Sequence, residues 1–189
     1  MTKSHPVPLP SAETQTGPKW GRILAWGSLL VFLTILALGL LRAQEGSVSR
    51  GQSVPEFELT TYDDEVFSST SLVGKVVVLN FWASFCVPCA EEASELETAW
   101  QFYKDRGDVI FLGVAWSDMD TRALEYLDRY GITYPNGPDI RTRISQAFRT
   151  RGVPETYIID KNGIISHVQI GPFVSLSQIR AVVDPLLDQ

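Results

Sequence analysis

Both cysteines of the chain lie in one short motif. Cys86 and Cys89 are separated by two residues within the sequence FWASFCVPC. Such a pair can close into a disulfide and reopen, and it thereby exchanges electrons with other thiols or disulfides. A purely structural bridge is a poor explanation, because closing so short a loop removes little entropy from the unfolded chain. The pair therefore indicates thiol–disulfide chemistry.

The surroundings of the motif predict different roles for the two thiols. Val76 to Trp82 is an apolar, β-branched run typical of a buried central strand, and apolar residues recur at helical spacing after the motif. Cys86 should therefore precede a helix, whose free N–H groups and dipole favour a thiolate and lower its pKa below the roughly 8.5 of a free cysteine. Cys89 should lie one turn inside that helix. We predict that Cys86 is the nucleophile and Cys89 the resolving thiol.

Zinc is the main alternative ligand for such a pair. A structural zinc ion needs four ligands, and the chain offers only two histidines besides the cysteines. His5 precedes the long apolar run described below, and His167 is better explained as a residue on the surface of a strand. We therefore expect neither a metal nor another cofactor.

Residues 23–41 form an uncharged, apolar run of nineteen residues. This length is close to the roughly 20 residues that a helix needs to cross a bilayer. A cleaved signal peptide is the alternative, but its apolar region is typically shorter, about 7 to 15 residues, and small residues follow it. Here Leu40, Leu41 and Arg42 end the run, so we predict a retained transmembrane anchor.

The charges around this run predict its orientation and divide the chain. Three basic residues precede the run, Lys3, Lys19 and Arg22, and only one acidic residue, Glu13. This excess of positive charge predicts that the N-terminus lies in the cytoplasm. Two basic residues after the run, Arg42 and Arg50, weaken the contrast. We predict a cytoplasmic tail at 1–22, an anchor at 23–41, a linker at 42–53 and a folded domain at 54–189. Residues 42–189 carry 13 Lys and Arg against 21 Asp and Glu, a net charge of −8, which argues against a nucleic acid partner.

The remaining patterns predict a mixed α/β fold. Phe57–Thr60 and Val66–Ser68 suggest an N-terminal β-hairpin. Further predicted elements are a strand at 109–115, helices at 120–130, 140–148 and 177–187, and a β-hairpin of 156–159 with 164–170 around Asn162-Gly163. This order predicts one mixed sheet with helices on both faces.

Two separated motifs resemble those of one family. FWASFCVPC after a buried strand, and GVPETYIID followed by a hairpin ending in IGP, resemble the TlpA/ResA/CcmG (DsbE)-type thioredoxin-like proteins, and in particular those of cytochrome c maturation. The resemblance covers about residues 51–189. It implies a thioredoxin-like fold with an N-terminal hairpin and a helical insertion.

The resemblance also implies roles for individual residues. Pro154 matches the cis-proline that faces the redox pair; the alternative is an ordinary trans proline at this position. By the same resemblance, the substrate would be bound by Pro154 together with Trp82, Val153 and Glu155. Glu92 matches an acidic residue that assists proton movement. If partly buried, its raised pKa would let it take a proton from Cys89, although the helix dipole would stabilise a carboxylate there whatever its function.

The function implied is that of an extracytoplasmic, membrane-anchored reductant. Its clients would be disulfide-containing proteins, with the haem-attachment cysteines of apocytochrome c as the expected target, and a membrane thiol–disulfide reductant would recycle it. Two alternatives stay open: a disulfide oxidase or isomerase of the same fold, because the sequence does not fix the reduction potential, and a non-catalytic copper- or client-binding module. Copper(I) would favour further Met or His ligands, and Met119 is the single methionine after the anchor.

Overall fold

The computed structural model describes residues 19–43 and 48–188 in two units, which are treated separately. Residues 1–18 of the predicted tail and residues 44–47 of the predicted linker lie outside the described residues. The predicted boundaries of tail, anchor and linker stay predictions.

The first unit is helix α1, Lys19–Ala43. Its segment Trp20–Gly39 is long and apolar enough to cross a membrane, and the side chains described along it are exposed. A helix that is apolar on every side has no polar face to turn towards water. This composition makes α1 a candidate anchor and agrees with the run predicted from the sequence.

The second unit runs from Gly46 to the C-terminus. In chain order its strands and α-helices are β1 (Glu58–Thr60), β2 (Val66–Ser68), β3 (Val76–Trp82), α2 (Val87–Tyr103), β4 (Val109–Ala115), α3 (Asp120–Tyr130), β5 (Asn136–Pro138), α4 (Arg143–Phe148), β6 (Glu155–Ile159), β7 (Ile165–Ile170) and α5 (Leu176–Val183). Short 3₁₀ turns follow α2, precede α4 and follow α5.

Five strands form a mixed sheet in the order β5-β4-β3-β6-β7, and β1 pairs with β2 in a separate hairpin. β3, β4 and β5 are parallel to one another, whereas β6 and β7 run antiparallel to their neighbours. The carboxyl end of β3 therefore lies beside the carboxyl end of β4 and the start of β6. Residues that follow β3 and β4 and precede β6 must converge at this edge.

The two faces of the sheet bury separate cores. Leu79 and Phe81 of β3 pack with Phe148 of α4 and Leu59 of β1 on one face. Val76 and Val78 pack with apolar residues of α2 and α5 on the other. Every residue of β3 is buried, which explains why its sequence is an unbroken apolar run except for Asn80.

Most predicted elements are confirmed, and three differ. The helix predicted for 177–187 is α-helical only to Val183 and continues as a 3₁₀ turn, Asp184–Leu186. Strand β5 was not predicted, because its sequence Asn-Gly-Pro carries no strand signal and it pairs with β4 through only three residues. The helix predicted for 140–148 is interrupted: Arg141 and Thr142 have positive φ values of 56°, so a 3₁₀ turn precedes a shorter α4.

Candidate active site

Cys86 is the N-cap residue of α2. Its backbone is extended, at φ −89° and ψ 110°, and its sulfur accepts a hydrogen bond from the Cys89 N–H at 3.2 Å. Pro88 lies in the first turn, where a missing N–H costs nothing. The turn thus directs backbone donors and the positive end of the helix dipole at the Cys86 sulfur, the arrangement that stabilises a thiolate.

The two cysteines form a disulfide, with their Cα atoms 5.3 Å apart. Cys86 retains 8% of its surface exposed and Cys89 only 1%, so an incoming thiol or disulfide can approach Cys86 far more easily. The carbonyl oxygen of Val153 lies 3.5 Å from the Cys86 sulfur, and the Val153–Pro154 peptide bond is cis, as the sequence resemblance implies. The fold therefore brings the segment before β6 against the redox pair.

Glu92 is buried on the same face of α2 as Cys89, one turn further along, and is 1% exposed. Its Oε1 accepts from the Asn80 side-chain amide at 2.8 Å, and its Oε2 accepts from the Phe173 backbone N–H at 3.1 Å. Burial raises the pKa of Glu92 to about 7, while the hydrogen bonds from Asn80 and Phe173 oppose that rise. A carboxyl group with such a pKa can both accept and release a proton near neutral pH.

Trp82 lies beneath the active-site turn. Its side chain is buried, its indole N–H donates to Asn136 Oδ1 at 2.8 Å, and its ring stacks on Tyr126 with centroids 4.5 Å apart. The Tyr126 hydroxyl in turn donates to the carbonyl oxygen of Cys89 at 2.8 Å. Gly113 leaves the space for this arrangement, because a Cβ there would lie 1.7 Å from Asn136 Oδ1. These contacts fix the floor under the redox pair.

A carboxylate ties the loop before Cys86 to the loop after β4. Asp118 accepts hydrogen bonds from the backbone N–H and the hydroxyl of Ser84 and from the Met119 N–H. Two adjacent side chains, Phe85 and Val87, are exposed on the surface around Cys86. The contacts of Tyr126 and Asp118 thus fix the position of the active-site turn. Its outer surface, formed by Phe85 and Val87, is apolar and exposed to solvent.

The predicted substrate-binding residues do not all reach the surface. Val153 is partly exposed, but Pro154, Glu155 and Trp82 are buried. Glu155 accepts a hydrogen bond from the Tyr157 hydroxyl in the interior of the domain. In the oxidised form, therefore, Val153 is the one residue of this predicted set with side-chain surface open to solvent.

Sequence reasoning assigned no role to several residues of this site. Asn80 interrupts an otherwise apolar strand, and a polar residue in a buried run signals an internal hydrogen bond. Tyr126, Asp118 and Phe173 gave no such local signal, because their contacts to the site cross 34 residues or more. Within residues 19–43 and 48–188, no group of three or more His, Cys, Asp or Glu side chains could hold a metal ion.

The fold and the redox pair define the class of protein. The mixed sheet carries helices on both faces, and a Cys-x-x-Cys pair caps the helix after the central strand opposite a cis-proline. The chain is a thiol–disulfide oxidoreductase of thioredoxin-like fold.

Comparison with known proteins gives the family. Residues 50–168 match the model of the AhpC/TSA family, and the chain belongs to this family. It is 27% identical to the thiol-disulfide oxidoreductase ResA of Oceanobacillus iheyensis over 85% of each chain. It is 36% identical to the thiol:disulfide interchange protein DsbE of Allochromatium vinosum, over 62% of this chain and 65% of that one. Among solved structures, a thiol:disulfide interchange protein of the thioredoxin family from Chlorobium tepidum superposes with a TM-score of 0.65 at 28% identity, covering 75% of this chain and 99% of that chain.

Proposed function

We propose that the chain is a membrane-anchored reductant of client disulfides outside the cytoplasm, with Cys86 as nucleophile and Cys89 as resolving thiol. The observation that carries this proposal is the position of Cys86: it caps α2, its sulfur accepts the Cys89 N–H, and it is more exposed than Cys89. These features favour a reactive thiolate at Cys86 and a protected thiol at Cys89.

The reaction proceeds in two exchanges. The Cys86 thiolate attacks one sulfur of the client disulfide, which forms a mixed disulfide and releases the other client sulfur as a thiolate. Glu92 then takes the proton of the Cys89 thiol, and the Cys89 thiolate attacks the Cys86 sulfur. This closes the Cys86–Cys89 disulfide and releases the second client thiolate; water and protonated Glu92 supply the protons that the client thiolates take up. The client gains two electrons and the enzyme loses two.

The backbone segment that precedes β6, at Val153 and Pro154, is the proposed docking site for the client. Val153 is partly exposed and its carbonyl oxygen lies 3.5 Å from Cys86 Sγ, so an extended segment that pairs with its backbone would bring a client sulfur to Cys86. We propose that Pro154, Glu155 and Trp82 support this segment from below.

The anchor and the cellular role complete the proposal. Helix α1 would hold the domain at the membrane, with the basic residues that precede its apolar run 23–41 on the cytoplasmic side. Nicotinamide reductants are not available outside the cytoplasm, so a membrane thiol–disulfide reductant would restore the dithiol. The proposed client is apocytochrome c, whose haem-attachment cysteines must be reduced; the resemblance of the FWASFCVPC and GVPETYIID motifs to those of cytochrome c maturation proteins supports this choice.

Trapping of mixed disulfides tests the division of labour. Cys89→Ser should accumulate long-lived mixed disulfides with clients, because nothing resolves them, whereas Cys86→Ser should trap almost none. The adducts are counted on non-reducing gels after acid quenching. Equal trapping by the two variants would contradict the assignment.

The reduction potential separates reductant from oxidase. A reductant should have a potential nearer the roughly −270 mV of thioredoxin than the roughly −120 mV of a strong periplasmic oxidant. Deletion of the gene should lower holocytochrome c, and added small thiols should partly restore it. A potential near −120 mV, as for the strong oxidants, or normal cytochromes c with impaired disulfide formation, would favour the oxidase instead.

A further inference from the structure

The amide of Asn80 connects two parts of the active site that the reaction uses separately. Its Nδ2 donates to Glu92 Oε1 at 2.8 Å and to the Thr156 hydroxyl at 2.9 Å. Both hydrogens of the amide are thus used, and all three side chains are buried. Asn80 lies in β3 and Thr156 in β6, directly opposite each other in the antiparallel pair. The side-chain contact therefore follows from the register of the central strands.

We propose that Asn80 is a positioning residue for proton transfer: it fixes the carboxylate of Glu92, which lies one helical turn after Cys89 on α2, and links it to the strand that follows Pro154. The proposal rests on the role of Glu92 as proton acceptor given above. Asn80 itself does not titrate, so it cannot take the proton, but its donor favours the charged form of its partner.

Glu92 retains acceptor positions that no hydrogen bond from Asn80 or Phe173 occupies. An ionised carboxylate has about four acceptor positions, and Asn80 and Phe173 occupy one on each oxygen. These two donors come from β3 and from the loop after β7, on either side of the carboxylate, so its rotation is restricted. A carboxylate held in this way can accept the Cys89 proton without first reorienting.

Few other titratable groups face Glu92 from the elements packed around it. Tyr126 of α3 and Tyr134 before β5 interact electrostatically with it, and burial raises the pKa of both hydroxyls, so both stay neutral near pH 7. Cys89 on the same helix does not titrate while the disulfide is closed. In the oxidised protein, a titration of this cluster near neutral pH is therefore that of Glu92.

The test follows the Glu92 side-chain carboxyl by ¹³C NMR in the oxidised full-length chain in detergent micelles, with Glu92→Gln to assign the signal. Asn80→Leu keeps a similar volume but removes the donor, and it should raise the titration midpoint by roughly one to two pH units. The matched control is Asn136→Leu, a buried asparagine that bonds Trp82 and Tyr134 instead, which should leave the midpoint unchanged. An unchanged midpoint in Asn80→Leu would overturn the proposal.

A second variant serves if Asn80→Leu does not fold. Asn80→Asp is isosteric and would place another carboxylate where the amide nitrogen lies 2.8 Å from Glu92 Oε1. Two such groups share one proton and titrate in two separated steps. A single step at the wild-type midpoint would show that Asn80 does not hold Glu92.

Kinetics separate this inference from the proposed function. The rate of mixed-disulfide resolution should rise with pH through the Glu92 titration, and its midpoint should move upward in Asn80→Leu in parallel with the NMR midpoint. If Glu92→Gln leaves the rate profile unchanged, the role of Glu92 as proton acceptor is wrong, whatever the NMR shows. If Glu92→Gln flattens the profile but Asn80→Leu does not move it, only the positioning role of Asn80 is wrong.

Discussion

Replacing Glu92 by Gln should change how the stability of the oxidised protein depends on pH. The carboxyl group is 1% exposed, and burial raises its pKa from the ordinary 4.5 to about 7. Between these two values the folded protein binds a proton that the unfolded chain does not. The contribution of Glu92 to stability is therefore fully present below about pH 4.5 and is lost as the pH rises through about 7.

The size of the effect follows from the width of that window. Each pH unit within it lowers the free energy of unfolding by about 1.4 kcal/mol. Across the interval from 4.5 to about 7, the loss is about 3 kcal/mol. A substantial part of the stability of a domain of this size, about 5–15 kcal/mol in all, would thus depend on one carboxyl group.

The measurement is urea unfolding at several pH values between 4.5 and 8.5 for the wild type and Glu92→Gln. Both proteins are kept oxidised so that neither cysteine titrates. Gln cannot ionise, and the other titrating groups are common to both proteins, so their contributions cancel in the difference between the two curves. The variant should gain about 3 kcal/mol relative to the wild type on going from low to high pH.

The difference between the curves is more informative than either curve alone. The Gln side chain has only one oxygen, so it cannot accept from both Asn80 and Phe173 as the two oxygens of Glu92 do in either protonation state. Glu92→Gln therefore has a roughly constant cost of about 1 kcal/mol or more at every pH. That cost displaces the curves without changing their slopes. Parallel curves across the whole range would refute the assignment of a pKa near 7 to Glu92.

Two further substitutions probe the floor of the site, each measured by chemical denaturation. Gly113→Ala should lower the free energy of unfolding by at least about 2 kcal/mol, because the new Cβ would lie 1.7 Å from Asn136 Oδ1. The control is Gly152→Ala, whose new Cβ would meet no atom within 4 Å, so the free energy of unfolding should change little. Equal stabilities for the two alanine variants would contradict this packing. Tyr126→Phe should cost about 1 kcal/mol through loss of the hydrogen bond to the Cys89 carbonyl, and a stability equal to that of the wild type would show that the bond contributes nothing.

Local features of the sequence determined the redox pair and most of the fold. About thirty residues contain all the local signals of the site region. The apolar run predicts the strand, the helical periodicity after it predicts the helix, and the Cys-x-x-Cys spacing between them predicts the helix cap, without tertiary information. The helix Asp120–Tyr130 and the strand Val109–Ala115 were predicted with the bounds observed. The Asn162-Gly163 turn was likewise predictable, because the left-handed conformation at Gly163, with φ 76°, suits glycine.

Weak local signals explain the elements that were missed. Strand β5 has neither β-branched residues nor alternation, and its pairing with β4 alone makes it a strand. Its Gly137 also reflects tertiary packing, since a Cβ there would lie 2.2 Å from the carbonyl oxygen of Thr60 in β1. The interruption before α4 depends on left-handed backbone at Arg141 and Thr142, which neither residue type favours by itself.

The environment of Glu92 was decided by the tertiary structure alone. The sequence placed this residue one turn after Cys89, but its pKa depends on how deeply it is buried and on which donors reach it. Those donors, Asn80 and the Phe173 N–H, lie 12 and 81 residues away along the chain. The free energy of a buried charge depends on three-dimensional distance and on exclusion of water, which sequence spacing does not encode. The chain thus specified the reactive sulfurs locally, whereas the fold set the protonation chemistry beside them.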